Sequence, residues 1–137
     1  MPRRSAHVVP RTFACLCLGL LALFGLTACG NSPKDKLMGK WIGDRIENVS
    51  AEDAASAIGW VKGTMWEFAG DKLTVTIPAE PARTGTFKIT KAEGQKLTIR
   101  VARSDGPADE ATVSLTDAKT MRWNIGQDRE IVLVRAD

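Results

Sequence analysis

Tyrosine is missing from all 137 residues, and histidine occurs once, at His7. Its position matters as much as its scarcity, because the chain opens with a segment that reads as removable. Arg3, Arg4 and Arg11 make a positive start with no acidic residue, and residues 12–26 form an apolar run of about 15 residues, too short to cross a membrane comfortably. That is the pattern of a secretory signal, and it takes His7 with it. The remainder has neither imidazole nor phenol, which excludes a Ser-His-Asp or Cys-His nucleophile, a histidine metal site and a tyrosine acid. Cysteine is equally thin. Cys15 and Cys17 lie in the apolar run and Cys29 follows it, so no disulfide is left to brace the remaining chain, even in an oxidising compartment.

An excess of one charge is missing as well. The whole chain has 19 Lys and Arg against 16 Asp and Glu, but three arginines leave with residues 1–28 and the rest is balanced at 16 of each. A nucleic-acid partner therefore loses its only global support. The 109 residues that remain suit one domain with one core and are too few for two.

Turning to what is present, Leu26-Thr27-Ala28-Cys29 closes the apolar run and resembles the lipobox of bacterial lipoproteins. The resemblance implies that residues 1–28 are a lipoprotein signal peptide and that Cys29 receives a thioether-linked diacylglycerol and becomes the new N-terminus. Ordinary cleavage at a small residue, or an uncleaved helix, is the plainer reading, but a cysteine directly after Leu-x-Ala favours lipidation. The diacyl group together with N-terminal acylation would give a stable anchor rather than a marginal one. Ser5, Ala6 and His7 stand where a twin-arginine signal has hydrophobic residues, which favours the general secretory route. Gly30 rather than Asp after the cysteine resembles the pattern that sends lipoproteins to the outer membrane, facing the periplasm, in a host that has one.

Residues 29–36 read as a lipidated, flexible polar tether containing Pro33, and residues 37–137 as the folded domain. A first strand is expected over 42–46. Ser50 with Asp53 is a variant of the capping box, and Ala54, Ala55, Ala57 and Ile58 favour a short helix over 50–58 with Gly59 at its C-terminal cap. Beyond Gly63 the sequence alternates apolar residues with Thr, Lys, Ser and Arg, predicting strands at 64–69, 72–78, 83–91, 95–102, 110–116, 120–125 and 129–135.

Residues directly opposite in an antiparallel pair share a face, which tests the pairing. A turn at Gly70-Asp71 sets Phe68 against Leu73 and Trp66 against Val75. A turn at 92–94 sets Ile89 against Leu97 and Phe87 against Ile99, and one at 117–119 sets Leu115 against Met121 and Val113 against Trp123. Residues 131–134 are apolar throughout, so the last hairpin has two acceptable registers, and its strand can be covered on both sides.

Eight strands joined in sequence predict an all-β, antiparallel up-and-down barrel with one short helix between strands 1 and 2, closed so that neither edge is left bare. Short turns fall at one end, with Trp41, and long connections at the other, with the helix and Trp60. Gly39-Lys40-Trp41 opening the first strand resembles the Gly-x-Trp signature of lipocalins, and the stretches "MWEFAGDKLTVTI" and "GTFKI" with "KLTI" are similar to small bacterial lipocalin-like lipoproteins. The resemblance covers roughly residues 37–135. It implies that Trp41 packs at the closed end against an arginine of the final strand, and that small hydrophobic molecules bind at the open end. Strand direction selects Arg135 over Arg129 for that contact. The other familiar lipocalin motifs are absent, and the domain is shorter than most ligand carriers.

Trp66, Phe68, Phe87 and Trp123 share the inward face and either line a cavity or fill it; eight strands are narrow enough for side chains to fill the interior, and that reading is favoured. The residues expected to meet a ligand are Ile58, Trp60, Trp66, Ile77, Val101 and Trp123, with Ile58 and Trp60 turned inward as a lid or plug. Glu52-Asp53 reads as first-turn helix capping rather than an acid pair. Asp105, Asp109 and Glu110 fall short of a calcium loop, and Gly39-Lys40 lacks the glycine spacing of a phosphate loop. No metal, cofactor or catalytic group is expected. The function expected is a membrane-anchored binding module for a small apolar molecule, with a protein-interaction module, such as a periplasmic inhibitor or an envelope assembly accessory, as the alternative. A third possibility, carboxylate-based hydrolysis, would need two acids at the mouth with perturbed pKa values.

Overall fold

The computed structural model describes residues 32–137. The signal segment and Cys29, with the lipidation assigned to it, lie outside the described residues. The chain runs α1 (Pro33–Leu37), β1 (Gly39–Glu47), α2 (Ala51–Gly63), β2 (Met65–Ala69), β3 (Lys72–Thr76), β4 (Arg83–Glu93), β5 (Lys96–Ala102), β6 (Asp109–Leu115), β7 (Thr120–Gly126) and β8 (Arg129–Arg135). Each strand pairs antiparallel with the next, and β8 pairs with β1, so the sheet is a closed up-and-down barrel. This is the architecture that the alternation predicted, and it is consistent with a lipocalin-like fold.

Two hairpins have the expected register: Phe68 faces Leu73 and Trp66 faces Val75, while Leu115 faces Met121 and Val113 faces Trp123. The β4–β5 hairpin corrects the expectation. Its strands extend to Glu93 and Lys96, Gly94 takes φ +59° in the turn, and the ladder is irregular between Ile89 and Lys91. Ile89 therefore faces Ile99 and Phe87 faces Val101. The slip is two residues, an even number, so every side chain keeps its face and only the partners change. In the last hairpin, Trp123 faces Ile131 and Met121 faces Leu133 across a turn in which Gln127 and Asp128 both have positive φ. Val132 points to the outer face yet is fully buried, because it lies in a cross-strand row between Arg45 and Arg122. Long arginine stems can cover apolar surface in this way.

The tether expected through Lys36 is partly a helix. Ser32 accepts from the Asp35 backbone N–H at 3.1 Å, and Asp35 accepts in return from the Ser32 N–H at 3.3 Å, a reciprocal cap with Pro33 in the first turn. This short helix brings Leu37, fully buried, across the closed end, where the Trp41 indole N–H donates to the Leu37 carbonyl at 2.8 Å.

The helix α2 is longer than expected. Ser50 caps it as predicted, accepting from Asp53 N–H at 3.1 Å, but Gly59 lies in its interior and the chain leaves it only at Thr64. An interior glycine costs about 1 kcal/mol relative to alanine, which the contacts of the following turn offset. Val61 is fully buried, and a Cβ on Gly43 would stand 1.9 Å from the Val61 carbonyl oxygen, so glycine is what lets α2 close against the inner side of β1. The inward stripe is Ala54, Ala57 and Val61, spaced three and four apart.

The core runs from Leu37 and Trp41 through Phe68, Phe87, Leu97, Ile99, Leu115, Met121 and Leu133. At its closed end Arg135 stacks its guanidinium 4.2 Å from the Trp41 ring centroid and donates to the carbonyls of Lys36 (2.7 Å), Ala118 (2.9 Å) and Met38. Removing that side chain loses the ring contact and strands three acceptors, so Arg135→Ala is expected to lower stability by about 1 to 3 kcal/mol. Arg129→Ala, at the opposite end of β8, is expected to cost less than about 1 kcal/mol. Paired urea denaturation curves measure both; equal losses would contradict the latch.

Candidate functional site

The two ends of the barrel are built differently. Toward the short turns, aromatic side chains fill the interior: Phe68 and Phe87 meet edge to face at 5.1 Å, and Trp66 lies 6.1 Å from Phe68 and 4.9 Å from Trp123 between ring centroids. Above Trp66 and Trp123 the packing stops and a pocket of about 190 Å³ opens toward the long connections. Its apolar lining comes from Trp66, Leu73, Val75, Ile77, Val101, Ala111 and Trp123. A small residue keeps the space open: Ala111 pairs across the sheet with the much larger Ile99. Gly85, also in the wall, is where β4 closes on β5, since a Cβ there would meet Val101 Cγ1 at 2.6 Å and the Ala102 carbonyl at 2.7 Å.

The expected ligand residues therefore divide. Trp66, Ile77, Val101 and Trp123 converge on the pocket, whereas Ile58 and Trp60 do not line it. Ile58 is 43% and Trp60 38% exposed, on the outer side of α2. Ending the helix at Gly59 misplaced Trp60: with the helix continued, Val61 falls on the stripe of Ala54 and Ala57, and Trp60 is turned about 100° away from it. α2 thus covers the β1 side of the mouth with small side chains, and the pocket opens over β3 to β6. Val75 and Ala111 were not singled out from the sequence. Val75 was legible as the partner of Trp66, while Ala111 carries no signal until its register with Ile99 is known.

The rim is charged. Arg83 pairs with Glu80 at 2.8 Å, and Arg103, 17% exposed, holds its Nε 3.2 Å from Asp109 Oδ2 and 3.7 Å from Asp105 Oδ1. Those separations make ion pairs, but the Nε–H is not aimed well enough at either oxygen to form a hydrogen bond. The acidic loop weighed as a cation site is instead gathered around this arginine. The buried indole N–H of Trp66 also has no acceptor, a polar cost at the floor of the pocket. Glu52 and Asp53 occupy the first turn of α2, where Asp53 Oδ2 accepts from the Ser50 hydroxyl at 2.8 Å.

A second charged group, unforeseen in the sequence, sits on the outer wall where β1, β7 and β8 meet. Arg122 Nη1 is bonded to Glu47 and lies 3.2 Å from Glu130, and Arg45 reaches Glu47 at 2.9 Å. The Arg122 hydrogen bond, followed by that of Arg45, holds the Glu47 carboxyl below the usual carboxylate range; Lys62 and then Arg45 do the same for Asp44. A general acid needs the opposite shift. The group is a clasp across the β1–β8 seam.

Compared with family models, with curated proteins and with solved structures, the chain finds no match in any of the three.

The clasp carries a pH signature. Glu47 binds its proton more weakly folded than unfolded, so its contribution is full above the ordinary carboxylate value of about 4.3 and is lost as the pH falls through the lowered folded value. Glu47→Gln should be less stable than the parent at about pH 7, with the gap narrowing by about pH 3, as denaturant midpoints at the two pH values will read. A gap independent of pH would contradict the clasp.

Proposed function

We propose that this protein is a lipid-anchored envelope module that holds a small apolar molecule in the mouth of its barrel. The observation that carries the reading is the pocket of about 190 Å³, floored by Trp66 and Trp123 and walled by Val75, Ile77, Val101 and Ala111. An apolar cavity of about 150 Å³ accepts benzene, whereas drug-sized ligands take roughly 300 Å³ or more. The fitting occupant is therefore a single ring or a short acyl chain, with any polar group at the Arg83 and Arg103 rim. The anchor rests on Leu26 to Cys29, and the periplasmic, outer-membrane placement on Gly30.

A second reading, capture of an envelope protein, is favoured by one observation: Ile58 and Trp60 stand exposed on α2 rather than buried. It predicts an empty pocket in the purified protein.

Organic extraction and mass spectrometry of the protein, with titration of hexanol and benzene followed by the indole N–H signals of Trp66 and Trp123, separates the two. Ala111→Phe should fill the pocket and weaken binding by at least about tenfold, or roughly 1.4 kcal/mol, while Trp60→Ala leaves binding unchanged. No extracted molecule and no shifted signal would overturn the apolar-ligand reading. For the anchor, Cys29→Ser should abolish incorporation of a labelled fatty acid; equal label in mutant and parent would overturn the lipidation.

A further inference from the structure

Resting on the lipidation of Cys29 proposed above, the geometry points to the closed end of the barrel as a docking surface for an anionic lipid leaflet, with the pocket mouth facing away from it. The first argument is reach. Cys29 precedes Ser32 by three residues, a span of at most roughly 10 Å. From Ser32 onward the chain is fixed: α1 follows, Leu37 is fully buried, and Arg135 holds the Lys36 carbonyl at 2.7 Å. Lys36 lies beside Gly94, Gln95, Thr116 and Ala118, which belong to the short turns. The anchor therefore enters at the end opposite the pocket, and strands of seven residues set the two ends about 20 Å apart.

The second argument is charge, and it is independent of the first. Net charge from Cys29 onward is zero, yet its distribution is polar. Seven of the nine lysines, at positions 34, 36, 40, 72, 91, 96 and 119, lie in α1, at strand ends or in turns of the closed half. Nine of the sixteen acidic residues, among them Glu52, Glu80, Asp109 and Asp128, lie in α2, in the connections and at the strand ends of the mouth; with Arg135 and the six acids of the closed half counted, that half carries a net +2 and the remainder, arginines included, −2. Lys34, Lys36, Lys96 and Lys119 are exposed, and among the described residues none of them joins an ion pair. The Lys34 ammonium lies over the Phe87 ring, Nζ 5.6 Å from the centroid. An anionic leaflet attracts lysines within a Debye length of about 8 Å, and a tether of roughly 10 Å keeps this face close to that range. The acidic mouth is repelled by the same field. Tether and field thus select one orientation, in which the pocket exchanges its occupant with the aqueous side instead of drawing it from the leaflet below.

The test uses the full lipidated protein in vesicles of phosphatidylglycerol with phosphatidylcholine, or of phosphatidylcholine alone, each doped with a nitroxide-headgroup lipid. A fluorophore is attached through Gln95→Cys at the closed end or Ala82→Cys at the mouth, Cys29 being blocked by its thioether. On anionic vesicles, quenching at position 95 should exceed that at 82 several-fold. The difference should shrink on phosphatidylcholine alone and in the variant Lys34→Gln, Lys36→Gln, Lys96→Gln, Lys119→Gln, whose exposed substitutions leave the fold intact by thermal melting. Equal quenching at the two sites in protein that floats with the vesicles overturns the orientation alone. An undiminished difference in the lysine variant overturns the electrostatic docking. Protein that neither floats nor carries the diacyl mass overturns the anchor and the docking together.

Discussion

The contact on which the rest depends is the stack of Arg135 over Trp41. A barrel of sequential hairpins has one seam that no turn enforces, between the first strand and the last. Here Trp41 on β1 is directly opposite Arg135 on β8, and the guanidinium both lies on the indole and gathers the carbonyls of Lys36, Met38 and Ala118. One side chain thus joins the entering segment, the seam and the β6–β7 turn. The Trp41 N–H meanwhile fixes Leu37, so the plug at the closed end and the closure of the sheet are the same event. Higher on the seam, Glu47, Arg122 and Glu130 repeat the arrangement on the outer wall with charge alone. The upper clasp is made of ion pairs, whereas the lower one adds the Trp41 ring and three backbone acceptors.

Much of this was legible in the residues, for identifiable reasons. Alternation with a period of two gave the strands and their faces, and the Gly70-Asp71 and 117–119 turns were tight enough to fix register by chain length alone. The β4–β5 register was not legible, because the irregularity near Thr90 leaves no compositional mark; the even slip kept Phe87, Ile89, Leu97 and Ile99 inward regardless. Ser32, Pro33 and Asp35 did contain a helix start, but five residues is below any periodicity that a sequence can display. For α2 the error was one of phase. Gly59 looked like a terminus, and a helix that stops there leaves Trp60 free to turn toward the barrel, whereas the longer helix presents alanines and Val61.

The candidate site shows the same division. Large residues announce themselves, and Trp66, Ile77, Val101 and Trp123 were found through size and strand face. What makes the pocket, however, is the smallness of Ala111. An absent side chain has no pattern of its own; it becomes visible only when the register shows which large residue it faces. The charged clasp at Glu47 was hidden for a related reason, since its members are 75 residues apart in sequence and meet only because β8 returns to β1.

The two ends follow from one choice of topology. An up-and-down barrel with an even number of strands sends every odd connection to one end and every even connection to the other. Short turns leave no slack, so the end that collects them is closed by core packing and by α1, and its conformation is over-determined by the Arg135 latch. The opposite end receives the connections 77–82 and 103–108 and the whole of α2, with a single short turn at Gln127-Asp128. Only there can side chains at the ends of strands be spaced by loops instead of by neighbours, which is where Ala111 leaves room above Trp66. Rigidity at one end and vacancy at the other are therefore consequences of the same alternation. The indole pair of Trp66 and Trp123, stacked on the filled half and facing the empty one, is the boundary between them.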